Sequence, residues 1–158
     1  MIKHIKCDIF ESGADIICHQ VNCQGVMGSG IAKQVRERYP WVYGTYKNFC
    51  IGVVEEHKAK PEIMLGTALP VYIDENRVIE NLFGQEKYGY DGNCYTNYEK
   101  LKDALYTVKL RHSNKIIAIP YLMGCARGGG DWNIVSNIIN EVFNNYDGEV
   151  LICECDKG

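Results

Sequence analysis

The chain lacks a surplus of positive charge, a Cys-x-x-Cys pair, a Gly-Lys-Ser/Thr triplet and any apolar run long enough to span a bilayer. Each absence excludes something. A formal net charge of −3 gives no basic excess to hold a phosphate backbone by counterion release, which argues against general nucleic-acid binding. Eight cysteines would suit a disulfide or zinc framework, yet they stand singly at 7, 18, 23, 50, 94, 125, 153 and 155. Zinc sites recruit ligands paired at turn spacing, which is missing here. Several of these cysteines sit inside apolar runs, where Cys behaves as a small buried hydrophobe. Reduced structural thiols with no metal and no cofactor are therefore expected. No signal peptide precedes the first strand and no membrane span is present, so the expected location is a reducing cytoplasm. Without the Gly-Lys-Ser/Thr triplet, nucleotide hydrolysis of the P-loop kind is disfavoured.

The 158 residues suit one domain with a continuous core, and no repeat or linker divides residues 1–158. Residues 2–6 alternate apolar and polar side chains as a short strand does, and residues 14–21 form an apolar run that predicts a buried strand. A helix is expected from about Ser29, with Ile31, Ala32, Val35 and Tyr39 on one face and Pro40 at its end. A second helix is expected from Trp41 to about Val53. Residues 66–73 and 77–83 read as a hairpin around Asp74-Glu75-Asn76. Thr96 with Glu99 suggests a capping box for a helix through Leu110. Residues 115–120 predict another buried strand, Asp131 caps a helix bearing Ile134, Ile138, Val142 and Tyr146, and residues 149–155 close the sheet. Strands alternating with helices predict a three-layer α/β/α domain around a mixed, mostly parallel sheet of about six strands.

Two glycine-rich segments, residues 25–30 and 124–130, each follow a buried strand and precede a helix. Ligands of open α/β sheets bind in the crevice at the carboxyl ends of the strands. Glycines let backbone amides approach an anion closely, and a helix N-terminus adds a favourable dipole. Two such loops facing each other can clasp a diphosphate. Tight turns alone would also account for one such loop, and Gly25-x-x-Gly28-x-Gly30 does not reproduce the usual dinucleotide spacing.

The segments Lys6-Cys7-Asp8-Ile9-Phe10 and Cys18-His19-Gln20-Val21-Asn22-Cys23-Gln24-Gly25-Val26-Met27-Gly28-Ser29-Gly30-Ile31-Ala32 resemble the macrodomain family. Ile119-Pro120 followed by Gly124-Cys125 and Gly128-Gly129-Gly130-Asp131-Trp132 resembles that family's second ligand loop. The resemblance spans nearly the whole chain and is nearest to the compact branch containing ADP-ribose-1''-phosphate phosphatases and terminal ADP-ribose glycohydrolases. It implies that ADP-ribose or a derivative is the partner, either free or on an ADP-ribosylated macromolecule. Asp8 matches the aspartate that accepts from the adenine amino group, with Ile9 beside it; a turn-capping aspartate is the plainer alternative. Asn22 and Gln24 lie where the first loop approaches the distal ribose. Met27, Gly28, Ser29 and Gly30 are expected along the diphosphate, and Gly124, Cys125, Ala126, Arg127, Gly128 and Gly129 are expected to close over it.

The resemblance implies hydrolysis, a de-ADP-ribosylation or a 1''-phosphate release, but the chain departs from one branch's machinery. Where terminal glycohydrolases keep a lysine and a second-loop aspartate, this sequence has Gln85 and Gly128, with Lys87 two residues away. That leaves attack by water, with His19 or Asp131 as general base and backbone amides stabilising developing charge. Core packing for His19 and helix capping for Asp131 are equally open. A non-catalytic ADP-ribose reader and a protein that sequesters a nucleotide metabolite are the competing functions.

Overall fold

A computed structural model describes residues 1–155. In chain order the elements are β1 (Ile2–Lys6), β2 (Ile16–Val21), α1 (Gly30–Arg38), α2 (Pro40–Ile51), β3 (Ala68–Tyr72), β4 (Val78–Phe83), α3 (Tyr98–Arg111), β5 (Ile116–Pro120), α4 (Trp132–Val142) and β6 (Glu149–Glu154). The strands form one six-stranded sheet in the order β1-β6-β5-β2-β4-β3. β3 runs antiparallel to β4, and every other pair is parallel. This is the three-layer α/β/α arrangement with a mixed, mostly parallel sheet.

Successive side chains of a strand point to opposite faces, and here both faces are covered. Ile16 and Cys18 of β2, Val78 and Leu82 of β4, and Ile117 and Ile119 of β5 pack with Leu101, Leu105 and Val108 of α3 and Val135 and Ile139 of α4. The alternate residues Ile17, Val21, Ile79, Phe83 and Ala118 pack with Val35 of α1 and Val42 and Tyr46 of α2. Burial on both faces is why these strands read as near-continuous apolar runs rather than alternating ones.

Several boundaries differ from expectation for identifiable reasons. α1 ends at Arg38, just ahead of Pro40 as expected, and Pro40 itself sits in the first turn of α2, one residue before the expected start, where its missing N–H costs nothing. α2 runs into a wider turn, Gly52–Glu56, in which His57 N donates to Gly52 O at 3.0 Å. The cap of α3 is Asn97, whose side chain accepts from Lys100 N, and not Thr96. Thr96 is drawn elsewhere, as shown below. α4 stops at Val142, so Tyr146 lies beyond it, where its hydroxyl donates to His112 O at 2.6 Å. Ile134 is among the exposed hydrophobic residues. All eight cysteines are free thiols; burial holds the Cys18 thiol well above its usual range and raises Cys23 to about 12. Among the described residues no helix is long and apolar enough to cross a membrane.

One buried charge fixes α3 to the sheet. Glu80 of β4 is fully buried and meets Arg111 Nη1 at 2.7 and 2.8 Å and His112 Nε2 at 2.7 Å. Removing one partner of a buried ion pair strands the other. Arg111→Ala is therefore expected to lower the unfolding free energy by about 3 kcal/mol in urea titrations; an unchanged midpoint would refute the anchoring role.

Candidate functional site

The first glycine loop is folded by its own side chains. Asn22 Oδ1 accepts from Gln24 N at 2.9 Å, and Asn22 Nδ2 donates to Val26 O at 2.9 Å. From α2, the Tyr46 hydroxyl stands 2.7 Å from Asn22 O and 2.9 Å from its Oδ1. The loop then enters α1 without a cap: Ser29 makes no side-chain capping bond, and the amides of Gly30, Ile31 and Ala32 find no acceptor among the described residues. Uncapped amides at a helix start, together with the helix dipole, form a site for an anion.

A chain of side chains from β2 holds the second loop. Gln20 Nε2 donates to Gln85 Oε1 at 2.8 Å and to Thr96 Oγ1 at 2.9 Å, and Thr96 Oγ1 donates to Gly124 O at 2.7 Å. Tyr95 N and Thr96 N both donate to Gly128 O, at 2.7 and 3.0 Å. This use of Thr96 explains why it does not cap α3. It also fixes the residue type at 128, where an added Cβ would lie 2.5 Å from Gly124 O and 2.6 Å from Thr96 Oγ1. Gly124 and Gly129 take left-handed φ values of 77° and 69°, and so does Leu122 at 65°, a conformation that bulky residues rarely adopt. The amides of Ala126, Arg127 and Gly128 have no acceptor among the described residues.

Between the loops lies a cavity of about 610 Å³, within the range of small-molecule sites. Its wall includes Asp8, Ile9, His19, Asn22, Gly28, Ser29, Gly30, Gly124, Ala126, Arg127 and Gly128 from the sequence expectations. Gln24, Met27, Cys125, Gly129 and Asp131 are not on the wall. Met27 is 1% exposed and packs in the core under the loop, so the neighbouring Val26 faces the cleft instead. Gln24 reaches Glu86 O, and Cys125 packs against the α3–α4 core. Asp131 caps α4, its carboxylate accepting from Asn133 N at 2.8 Å. Asp8 also has a capping bond, from Phe10 N at 2.9 Å, and its other oxygen lies 3.4 Å from Arg38 Nη2. Lys87 is exposed and off the wall, whereas Gln85 is on it. Trp132 packs edge-on against Tyr121 at 5.2 Å, and Tyr121 is the aromatic that reaches the cleft. Tyr121, Tyr88, Tyr90 and Gln20 were missed in the sequence; each lies at a strand's carboxyl end or in the polar loop after β4, so position alone could have nominated them. Among the described residues no three His, Cys, Asp or Glu side chains are arranged to hold a metal ion.

His19 is the one buried ionisable group on this wall with a defined proton position. Asn81 Nδ2 donates to Leu69 O at 2.9 Å, so its Oδ1 is the acceptor that faces His19 Nε2 at 2.6 Å. The imidazole therefore carries its proton on Nε2 and leaves a lone pair on Nδ1. Nδ1 is buried without a partner. Desolvation dominates and lowers the pKa to about 4, opposed by the Asn81 bond.

No family model matches the chain. An ADP-ribose 1''-phosphate phosphatase of Scheffersomyces stipitis is 35% identical over 77 residues, which is 45% of this chain and 42% of that protein. The chain thus matches less than half the length of this curated relative. The macrodomain of Mycobacterium tuberculosis DarG superposes with a TM-score of 0.76 at 23% identity, covering 97% of each chain. The chain has the macrodomain fold. A second neighbour, Thermosipho africanus DarTG in complex with ADP-ribose, gives a TM-score of 0.75 at 18% identity over 99% of this chain and 42% of that one.

In this fold, His19 is neutral when folded and would charge when unfolded. Between its ordinary pKa of 6.5 and about 4, the unfolded state binds the extra proton, so stability is full above pH 6.5 and falls as pH drops toward 4. His19→Gln, which keeps a donor toward Asn81, is expected to flatten that slope, by about 1.4 kcal/mol per pH unit. Urea unfolding of both proteins at pH 7, 6 and 5 measures it, and parallel slopes would refute the buried neutral imidazole.

Proposed function

We propose that this macrodomain binds ADP-ribose lengthwise in the cleft and hydrolyses ADP-ribose derivatives at the distal ribose. The observation that carries this is the pair of unpaired amide rows, Gly30 to Ala32 and Ala126 to Gly128, on two loops that face one cavity. Such rows suit a diphosphate, which needs donors on both sides and no protein cation. The acidic side chains of the wall, Asp8 and Glu154, follow or end the edge-side strands β1 and β6. A carboxylate there suits an exocyclic amino group, so adenine lies toward β1 and the distal ribose toward β4. The likeness to a phosphatase of ADP-ribose 1''-phosphate and to DarTG in complex with ADP-ribose supports the same ligand.

For turnover, the oxygen of a water bonds to C1'' or to the phosphorus of a 1''-phosphate. The bond from that atom to the leaving oxygen breaks, and the leaving group departs with the proton the water gives up. His19 Nδ1 is unprotonated at neutral pH and otherwise unpartnered, and it orients that water once the wall parts enough to admit it, because the atom is buried in this conformation. With a pKa of about 4 its basicity matches a carboxylate's, which suits orienting the water more than deprotonating it before attack. Free amides of the second loop would stabilise charge developing on the departing group.

Binding without turnover is the second reading, favoured by the absence of a lysine at Gln85 and by the packing that denies position 128 a side chain. Incubation with ADP-ribose-1''-phosphate and with ADP-ribosylated protein or DNA separates the two. Release of phosphate or ADP-ribose marks the enzyme, and tight binding of unchanged ligand marks the reader. Absence of ADP-ribose binding in calorimetry would refute both.

Two substitutions test the pose. Asp8→Ala is expected to weaken ADP-ribose binding about tenfold, the value of one charge-assisted hydrogen bond, and equal affinity would remove the adenine assignment. Gly28→Val is expected to abolish binding with the fold kept, because a Cβ there meets nothing nearer than Val26 Cγ1 at 3.6 Å and the rest of the side chain occupies the cleft. Normal binding by the folded variant would show that the diphosphate does not pass this loop.

A further inference from the structure

We infer that Arg127 and Tyr90 form an anion subsite at the β4 end of the cleft that selects a compact phosphate monoester on the distal ribose over polymer-borne ADP-ribose. This rests on the ligand orientation proposed above, and four observations carry it.

Position comes first. Asp8 follows β1, and the loop bearing Tyr90 leaves β4; in the sheet order β1-β6-β5-β2-β4 those two strands are four spacings apart, roughly 19 Å at about 4.8 Å per step, and the Tyr90 hydroxyl turns back to the β2 loop at Gly28. A ligand whose base meets Asp8 therefore brings its far end toward Tyr90. Charge comes second. Arg127 is the one lysine or arginine on the cavity wall, and the wall's carboxylates, Asp8 and Glu154, belong to the opposite end. Both carboxylates have partners, Asp8 with Arg38 at 3.4 Å and Glu154 with His4 at 2.8 Å, so Arg127 brings the wall's unpaired charge.

Third, Arg127 is not neutralised. Among the described residues no carboxylate forms a salt bridge with it. Its guanidinium instead lies over the Tyr90 ring, 4.4 Å from the centroid. Stacking occupies a face of the planar group and leaves its N–H edges free, the geometry in which arginine takes a phosphate through two parallel hydrogen bonds. The unpaired amides of Ala126, Arg127 and Gly128 stand beside it. Fourth, the pair bridges the two loops: the Tyr90 hydroxyl is 3.9 Å from the Cβ position of Gly28, while its face is covered by Arg127 of the second loop. A compact anion enters beneath this bridge and gains the guanidinium, next to the amide row that holds the diphosphate. A neutral linkage to a polymer gains no such pairing and has to part the two side chains to leave the cleft.

The test is competition against a fluorescent ADP-ribose, read in the first seconds after mixing, before any phosphate release is detectable. Wild type is expected to prefer ADP-ribose-1''-phosphate to ADP-ribose at least tenfold. Arg127→Ala brings that ratio to within about twofold of one, Arg127→Lys keeps part of it, and Tyr90→Leu lowers it by freeing the guanidinium; thermal melting verifies that each variant folds. A ratio near one in wild type overturns the subsite, as does a ratio that Arg127→Ala leaves unchanged. Tighter binding of an ADP-ribosylated oligonucleotide than of the 1''-phosphate overturns the selectivity. If the labelled ADP-ribose does not bind wild type at all, the proposed function has failed, a result separate from these.

Discussion

Covering a parallel sheet on both faces leaves polar chemistry one outlet, the row of loops at the strands' carboxyl ends. β2, β4 and β5 are apolar toward both helical layers, and the few polar side chains inside are paired. Glu80 meets Arg111 and His112, and Asn81 bridges His19 and Leu69 O. The exceptions are His19 Nδ1 and Gln20 Oε1, both buried without a partner and both on residues that reach the cavity wall. A buried unpaired acceptor is costly, so these two atoms mark where the interior stops being self-sufficient.

The loops at that boundary divide the work between backbone and side chain. Side chains that look like site residues in the sequence are largely occupied: Asn22 folds the first loop, Gln24 reaches Glu86 O and Asp131 caps α4, while Gln20 and Thr96 hold the second loop. What the two loops offer an anion is the main-chain amides of residues 30–32 and 126–128. On the proposed pose, recognition of the middle of the ligand is insensitive to side-chain identity, and discrimination would fall to the two ends, at Asp8 and Arg127.

Much of this was legible in the sequence. Strand and helix order followed from apolar runs and from breakers such as Pro40 and Gly13, and both loops were placed because glycines fell between a buried strand and a helix. What escaped was whatever depended on contacts between segments remote in the chain. Thr96 with Glu99 satisfies the local pattern of a capping box, but Gln20, 76 residues away, claims its hydroxyl. Met27 looks like a cleft residue in a glycine-rich stretch, and only the layer of α1 and α2 above it shows that it belongs to the core. The tyrosines after β4 had only their position past a strand end to nominate them, since their place on the wall depends on how residues 84–95 fold back against the second loop through Gly128 O.

The packing at position 128 bears on how such chains diverge. Its neighbours are a carbonyl and a hydroxyl that together hold the second loop, so a carboxylate cannot be introduced there by one substitution. Thr96 has first to shrink or the Gly124 carbonyl to turn away, and the loop then rests on the main-chain bonds from Tyr95 N and Thr96 N to Gly128 O. Positions 96, 124 and 128 thus form one packing unit, in which a side chain at 128 is admitted only by a change at a neighbour.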